Sequence, residues 1–321
     1  MEVSNKQNYR VLLFYKFVSV PNPELIRQEQ EFLCNRLGLL GRIIIATEGI
    51  NGTVSGTVKQ TECYMNFLAK HSLFAGIEFK VDEADTHAFH KMHVRVKDEI
   101  IHFGAGSLDT VHQGGKYIEP QEFQALLRDN NPDVVVLDTR STYEYEIGKF
   151  KGAQVLDIEH FRELTEKLES LSHLKEKTIV TYCTGGIRCE KATALMIKQG
   201  FKNVYQLHGG IIRYGKETGG ENFEGRCYVF DNRISVAINE VNPTIVGKCI
   251  HCEANAEKMI NCANALCNEQ VIVCEVCGAK YEGSCSTDCM DSEQRRVYNG
   301  KGQYYRGENS KEYIMVQWVG N

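Results

Sequence analysis

Between Cys249 and Cys289 the chain holds eight of its thirteen cysteines. Few features restrict a fold more, because the segment that carries them is too polar to build a core of its own. The series opens with the C-x-x-C pair Cys249 and Cys252. Cys262 and Cys267 follow at wider spacing, Cys274 and Cys277 form a second C-x-x-C pair, and Cys285 and Cys289 close the series. Eight thiols suffice for two closed, tetrahedral sites of the structural zinc type. Gly278, Gly283 and the Asn-rich intervals suit the tight knuckles such sites need. Zinc would supply the folding energy that this segment lacks. A redox relay serving a thiol elsewhere in the chain is the rival reading, and spacing alone leaves the pairing of the cysteines open.

The rest of the chain reads as an α/β protein. Its 321 residues favour two or three domains over a single core. No apolar run approaches the roughly 18–20 residues that cross a bilayer, and the N-terminus, MEVSNKQNYR, lacks a basic region followed by an apolar stretch. A cytoplasmic location without membrane attachment is expected, and there thirteen cysteines point to metal or thiol chemistry rather than disulfides. A net charge of −5 gives no basic excess, so a dedicated nucleic-acid binder is disfavoured and no DNA partner is expected.

Three segments are expected. Residues 1–115 alternate as strand, helix, strand, strand, helix, strand, the split pattern of a ferredoxin-like α+β domain. In it GRIIIATEGI and NGTVSG read as two strands joined in a Gly-Asn-Gly turn region. Residues 116–220 place the short apolar runs DVVVLDT, AQVLDI, TIVTY and NVYQL between helical stretches, predicting a mostly parallel sheet. Residues 221–321 hold a hairpin turning near Asp231 and Asn232, the cysteine array, and a polar tail with the single tryptophan, Trp318.

In the second segment TIVTY runs directly into CTGGIRC and then a helical stretch ending near Gly200. Cys183 therefore stands at a strand's carboxyl end, where open α/β sheets place their sites. Thr184, Gly185, Gly186 and Ile187 form the loop that follows. Its glycines let N–H groups turn inward toward an anion, and the helix dipole adds to them. Arg188 supplies a fixed positive fork. A thiol reacts as the thiolate, and this cradle favours that form. The bland alternative is an inert, buried cysteine beside a tight turn.

CTGGIRC resembles the active-site loop of rhodanese domains, which carries a persulfide on its cysteine. LDTRSTYEYEIGKFKGA, with Asp138, Arg140, Glu146, Gly148, Phe150 and Gly152, agrees with that family, as does QLHGGI with Gly209 and Gly210. The resemblance implies Cys183 as catalytic cysteine and Arg188 as its anion-binding partner. Cys189 either supports the loop by a hydrogen bond or resolves a persulfide. Further out, LFYKFV, GRIIIATEGINGTVSG and HAFHKMHVRVKDEI before the rhodanese stretch, with the cysteine-rich tail after it, are similar to the bacterial rhodanese-related family of tRNA uridine(34) hydroxylases. That resemblance implies oxygen-dependent conversion of the wobble uridine to 5-hydroxyuridine, oxygen as co-substrate, and the tRNA anticodon region as partner. A sulfurtransferase using a Cys183 persulfide is the alternative.

The residues themselves name no oxygen-activating cofactor. The His-x-Glu pair His251 and Glu253 lies inside the cysteine array, and no dinucleotide fingerprint or haem attachment motif is present. In EGINGT, Glu48 is a candidate carboxylate and Gly49, Asn51 and Gly52 a candidate phosphate cradle, but Asn-Gly as a plain hairpin turn explains the stretch. His87, His90 and His93 lack the spacing of a standard metal site, so solvated or structural roles are expected. Lys91, Arg95 and Lys97 could meet phosphates, yet Asp82, Glu83, Asp85, Asp98 and Glu99 make the face a mixed one.

Overall fold

The structure, a computed structural model, describes residues 8–106, 108–129, 131–302 and 304; Trp318 lies outside the described residues. The chain divides into two compact units. One comprises the described residues up to Ser141, Gly152–Thr218 and Asp231–Arg233. The other comprises Thr142–Lys151, Gly219–Phe230 and the described residues from Ile234 onward.

The chain starts with β1 (Tyr9–Phe17), α1 (Pro23–Leu37), β2 (Leu40–Ala46), β3 (Gly49–Thr57), α2 (Val58–Lys70), β4 (Glu78–Ala84) and β5 (Met92–Val96). Local chemistry sets the helix ends. Asn22 accepts from Leu25 N at 3.1 Å before Pro23 opens α1, and Gly38, at φ +71°, closes it. Thr57 and Gln60 make a reciprocal capping box at the start of α2. The sheet order is β4-β1-β3-β2-β5, the ferredoxin-like arrangement with a fifth strand added parallel to β2. Leu12, Phe14, Ile43, Ile45, Ile50 and Val54 pack with Ile26, Tyr64 and Leu68 of the helices. Alternation then turns Leu13 and Tyr15 to the opposite face.

One expectation for this domain is overturned. The β2–β3 turn is Thr47-Glu48, and Asn51 and Gly52 lie inside β3, paired with Ile44 and Ile43. Packing explains Gly52 there, since a Cβ would stand 2.5 Å from the Phe14 ring. Turn propensity favoured Asn-Gly, but a crowded neighbour decided the register.

The chain continues with β6 (Lys116–Ile118), α3 (Pro120–Asp129), β7 (Val134–Asp138), α4 (Thr142–Tyr145), β8 (Gly148–Phe150), α5 (Leu164–Lys167), β9 (Thr178–Tyr182), α6 (Ile187–Lys198), β10 (Asn203–Leu207) and α7 (Gly210–Thr218). Strands β6-β10-β9-β7 form an all-parallel sheet. Leu137, Ile179 and Val204 of its strands share a core with Ala192, Leu195 and Met196 of α6 and with Leu164, Leu168 and Leu171. AQVLDI, expected as a strand, makes only a single bridge from Gln154 to Leu137, after which Leu156 and Ile158 leave the ladder to fill the core. The carboxyl ends of β7, β9 and β10 carry Asp138, Tyr182 and Leu207, so the loops after them share one end of the sheet.

In the second unit β8 pairs with β11 (Phe223–Tyr228), which pairs with β12 (Ser235–Ala237), all antiparallel. The hairpin β13 (Lys258–Asn261) and β14 (Gln270–Val273) follows, then α8 (Glu275–Lys280) and α9 (Thr287–Met290). The polar cysteine segment does acquire a small apolar core. Met259, Ile260, Val271, Ile272 and Val273 build it with Ile147, Tyr228 and Ile234, residues outside the array.

Candidate active site and metal centres

Cys183 leaves β9 and enters a turn that Gly186, at φ +102°, closes as the N-cap of α6. Its Sγ accepts from Gly186 N at 3.1 Å. The first turn of α7 ties down the loop's other side, as Ile211 N and Ile212 N donate to the carbonyls of Cys183 and Thr184 at 3.0 and 3.1 Å. That approach needs Gly210, whose φ is +66° and whose Cβ would stand 2.5 Å from Cys183 O. Here lies the reason for the glycine pair in QLHGGI. Arg188 is buried, and its Nη2 donates to Thr184 Oγ1 at 3.4 Å. Gly185 is buried and Ile187 half-buried at the helix entrance.

Beneath the loop, Asp138 and Arg140 form an ion pair with no solvent exposure, at 2.7 Å. Tyr182 Oη donates to Asp138 Oδ2 at 2.6 Å. The pair locks the end of β7 to the residue immediately before Cys183.

Burial alone would push the Cys183 thiol up. The Cys189 S–H, the Arg188 charge and the N–H groups of Arg188 and Gly186 outweigh it and bring the pKa down to about 5. Cys189 moves the other way, raised by its own burial and then by the neighbouring thiolate. It lies 3.7 Å from Thr139 Oγ1 and stands as a donor toward Cys183.

The cover of this loop has no simple sequence signal. Leu13 and Tyr15, on the face of the N-terminal sheet opposite its helices, lie directly over the loop. A Cβ on Gly185 would meet Leu13 at 2.6 Å, and one on Gly186 would meet Tyr15 Oη at 2.8 Å. Cys183 is consequently 0% exposed. Polar residues of α6 complete the seal. Glu190 accepts from Tyr15 Oη and Tyr117 Oη, both at 2.8 Å, and from Gln206 Nε2 at 2.9 Å. Lys191 pairs with Glu48 at 2.8 Å and Glu99 at 3.2 Å.

The other sequence candidates separate. Glu48 holds Lys191 and accepts from Ile100 N at 2.7 Å, and Asn51 Nδ2 donates to Ile100 O at 2.8 Å. Both brace the connection after β5. His87 bonds to Ser55 and His90 to Asn232, while His93 is exposed, so the three do not converge. His251 stacks on Tyr281 at 3.7 Å and Glu253 is exposed. Lys91, Arg95 and Lys97 are exposed at and beside β5.

The eight cysteines gather into two groups, Cys249, Cys252, Cys274 and Cys277 in one, Cys262, Cys267, Cys285 and Cys289 in the other. The antiparallel hairpin makes this pairing. Cys262 follows β13 and Cys274 follows β14, so they emerge at opposite ends of the ladder. Within each group the sulfurs lie within 4.8 Å of one another. Sulfur separations of 3.8 Å (Cys252 to Cys274), 3.7 Å (Cys267 to Cys285) and 3.6 Å (Cys285 to Cys289) are far too long for disulfides. They fit the edge of a tetrahedron with metal–sulfur bonds of about 2.3 Å. Cys277 N and Cys285 N donate to Cys274 Sγ and Cys262 Sγ at 3.4 Å. Either group could hold a metal ion.

Known proteins agree with this anatomy. Residues 9–100 match the UPF0176 acylphosphatase like domain, 119–217 the Rhodanese-like domain, and 224–290 the Rhodanase C-terminal family. A protein of Cytophaga hutchinsonii named tRNA uridine(34) hydroxylase is 48% identical over 97% of this chain and 99% of its own length. Proteins of the same name from Staphylococcus saprophyticus, 48% identical over 96% of this chain and 99% of theirs, and Listeria monocytogenes, 49% identical over 88% and 89%, are similar. Such identity across all three segments is more than a shared rhodanese loop can give: the chain belongs to the tRNA uridine(34) hydroxylase family.

Proposed function

We propose that this protein hydroxylates the wobble uridine of tRNA, with oxygen as co-substrate and Cys183 as the reactive group. The reading rests on near end-to-end identity to relatives of that name. Cys183 serves as a thiolate at neutral pH, a form able to act as a nucleophile or to be oxidised. Arg188 and the backbone of Thr184, Gly185, Gly186 and Ile187 hold the anion. Leu13 and Tyr15 exclude water, so a nucleobase reaches the sulfur only when that cover lifts. The two cysteine groups hold structural zinc, which organises a segment with a small core. The domains follow the division 1–115, 116–220 and 221–321, and the protein works in the cytoplasm on the anticodon region.

The rhodanese-like match keeps a second reading alive, sulfur transfer through a Cys183 persulfide. Mass spectrometry of tRNA nucleosides separates the two, using cells that lack the gene and carry either wild type or Cys183→Ala. Return of 5-hydroxyuridine with wild type alone supports the hydroxylase and its cysteine. Return with both removes Cys183 from the reaction. Thiosulfate turnover with a thiolated nucleoside, and no hydroxyuridine, favours sulfur transfer.

A further inference from the structure

Lys80 stands directly across from Leu13 in the β1–β4 ladder, and Glu78 across from Tyr15. Directly opposed residues share a face, so Lys80 looks toward the same loop that Leu13 and Tyr15 cover. It is only 8% exposed. Its ammonium nevertheless makes no hydrogen bond or ion pair among the described residues, and Nζ lies 4.6 Å from the centre of the Tyr15 ring. A buried cation–π contact offsets only part of the desolvation cost of burying an ion. The ring alone does not account for a lysine in that place.

Nearby carboxylates are engaged elsewhere. Glu190 takes Tyr15, Tyr117 and Gln206, and Glu78 faces His208 at 3.2 Å. Of the anions whose charge bears on Lys80, the sulfur of Cys183 is the one in the loop beneath Leu13 and Tyr15.

We propose that Lys80 is a positioning residue for Cys183, the counter-charge by which the N-terminal sheet holds the loop's sulfur as an anion. The inference rests on reading Cys183 as the reactive group. It gives the ferredoxin-like domain a chemical task, since one of the two cations serving the thiolate, Arg188, is the loop's own and the other arrives only with the docked sheet. Every charged neighbour fits this assignment or is offset by it. Burial lowers the Lys80 pKa, the charges of Glu78, Cys183 and Glu190 oppose that, and Arg213 of α7 adds to it. Tyr15, whose hydroxyl donates to Glu190, has its own pKa raised by burial and then by that carboxylate, so it stays neutral.

The test is a pH titration of the Cys183 thiolate by ultraviolet absorbance in the full-length protein. Each protein is measured as the difference from its own Cys183→Ser partner, which cancels the other twelve thiols. Lys80→Met raises the midpoint by about one unit, so the thiolate fraction below the midpoint falls roughly tenfold. Lys80→Arg keeps the wild-type midpoint. An unchanged midpoint in Lys80→Met, or an equal shift in Lys80→Arg, overturns the proposal. Should circular dichroism show the methionine variant unfolded, Lys80→Gln takes its place under the same criterion. Hydroxylation by the wild type is assayed in parallel. If it is present without the midpoint shift, only this inference fails; if it is absent with the shift present, only the proposed function fails.

Discussion

Replacing Gly210 by alanine isolates how much the Cys183 loop depends on one close backbone approach. Gly210 has φ +66°, and a Cβ there would lie 2.5 Å from Cys183 O, 2.8 Å from Thr184 O and 2.9 Å from Gly185 N. All three are backbone atoms, and the two carbonyls are tied by the bonds from Ile211 and Ile212, so none can rotate away as a side chain would. Gly200, just beyond α6, supplies the control: its φ is +90°, yet a Cβ there meets nothing within 4 Å. Left-handed backbone costs an alanine about 1–2 kcal/mol, and Gly200→Ala carries only that. Gly210→Ala adds an overpacking cost of about 1–3 kcal/mol, for a total of roughly 2–5 kcal/mol. At about 2–4 °C per kcal/mol for a unit of this size, Gly200→Ala lowers the melting temperature by a few degrees and Gly210→Ala by clearly more. Thermal unfolding followed by circular dichroism measures both. Equal shifts for the two variants would refute the packing argument and leave only the backbone term.

Other consequences can be checked with the same protein. Asp138→Ala leaves Arg140 charged and fully buried, a loss of about 3–5 kcal/mol, whereas Tyr182→Phe removes a single hydrogen bond to the same carboxylate at about 1–3 kcal/mol; melting curves should keep that order. Metal analysis should find one ion for each of the two cysteine groups. Cys252→Ser should cost one of them and leave the other, and a chelator should abolish both and unfold the hairpin region. Because Cys183 is held at about 5, below the usual thiol range, the stability tied to its thiolate is complete above the unfolded pKa and drains away as pH falls through about 5. The advantage of wild type over Cys183→Ser, read as a difference in denaturation midpoint, should shrink on acidification; an advantage that grows instead would mean the thiol form is the one the loop stabilises.

Much of the reacting loop was legible before any coordinates. Strand, cysteine, two glycines, arginine and helix occur in consecutive residues, and local sequence order nearly sets such geometry. The ferredoxin-like alternation was equally readable, since hydrophobic period is a local signal. Asn51-Gly52 was not legible, because turn propensity is local while the Phe14 ring that claims the same space comes from another strand.

Sequence by itself determined which residues could be chemically active: Cys183 in its cradle and eight thiols in a polar tail. Tertiary structure alone decided how they are served. The partition of the cysteines follows from an antiparallel hairpin that sends Cys262 and Cys274 to opposite ends. Nothing local in the sequence joins Tyr15, Lys80, Glu190 and Lys191, which lie on β1, β4 and α6. Docking one sheet over the loop buried them together, and in a low-dielectric contact the same groups become the partners that seal and charge the site.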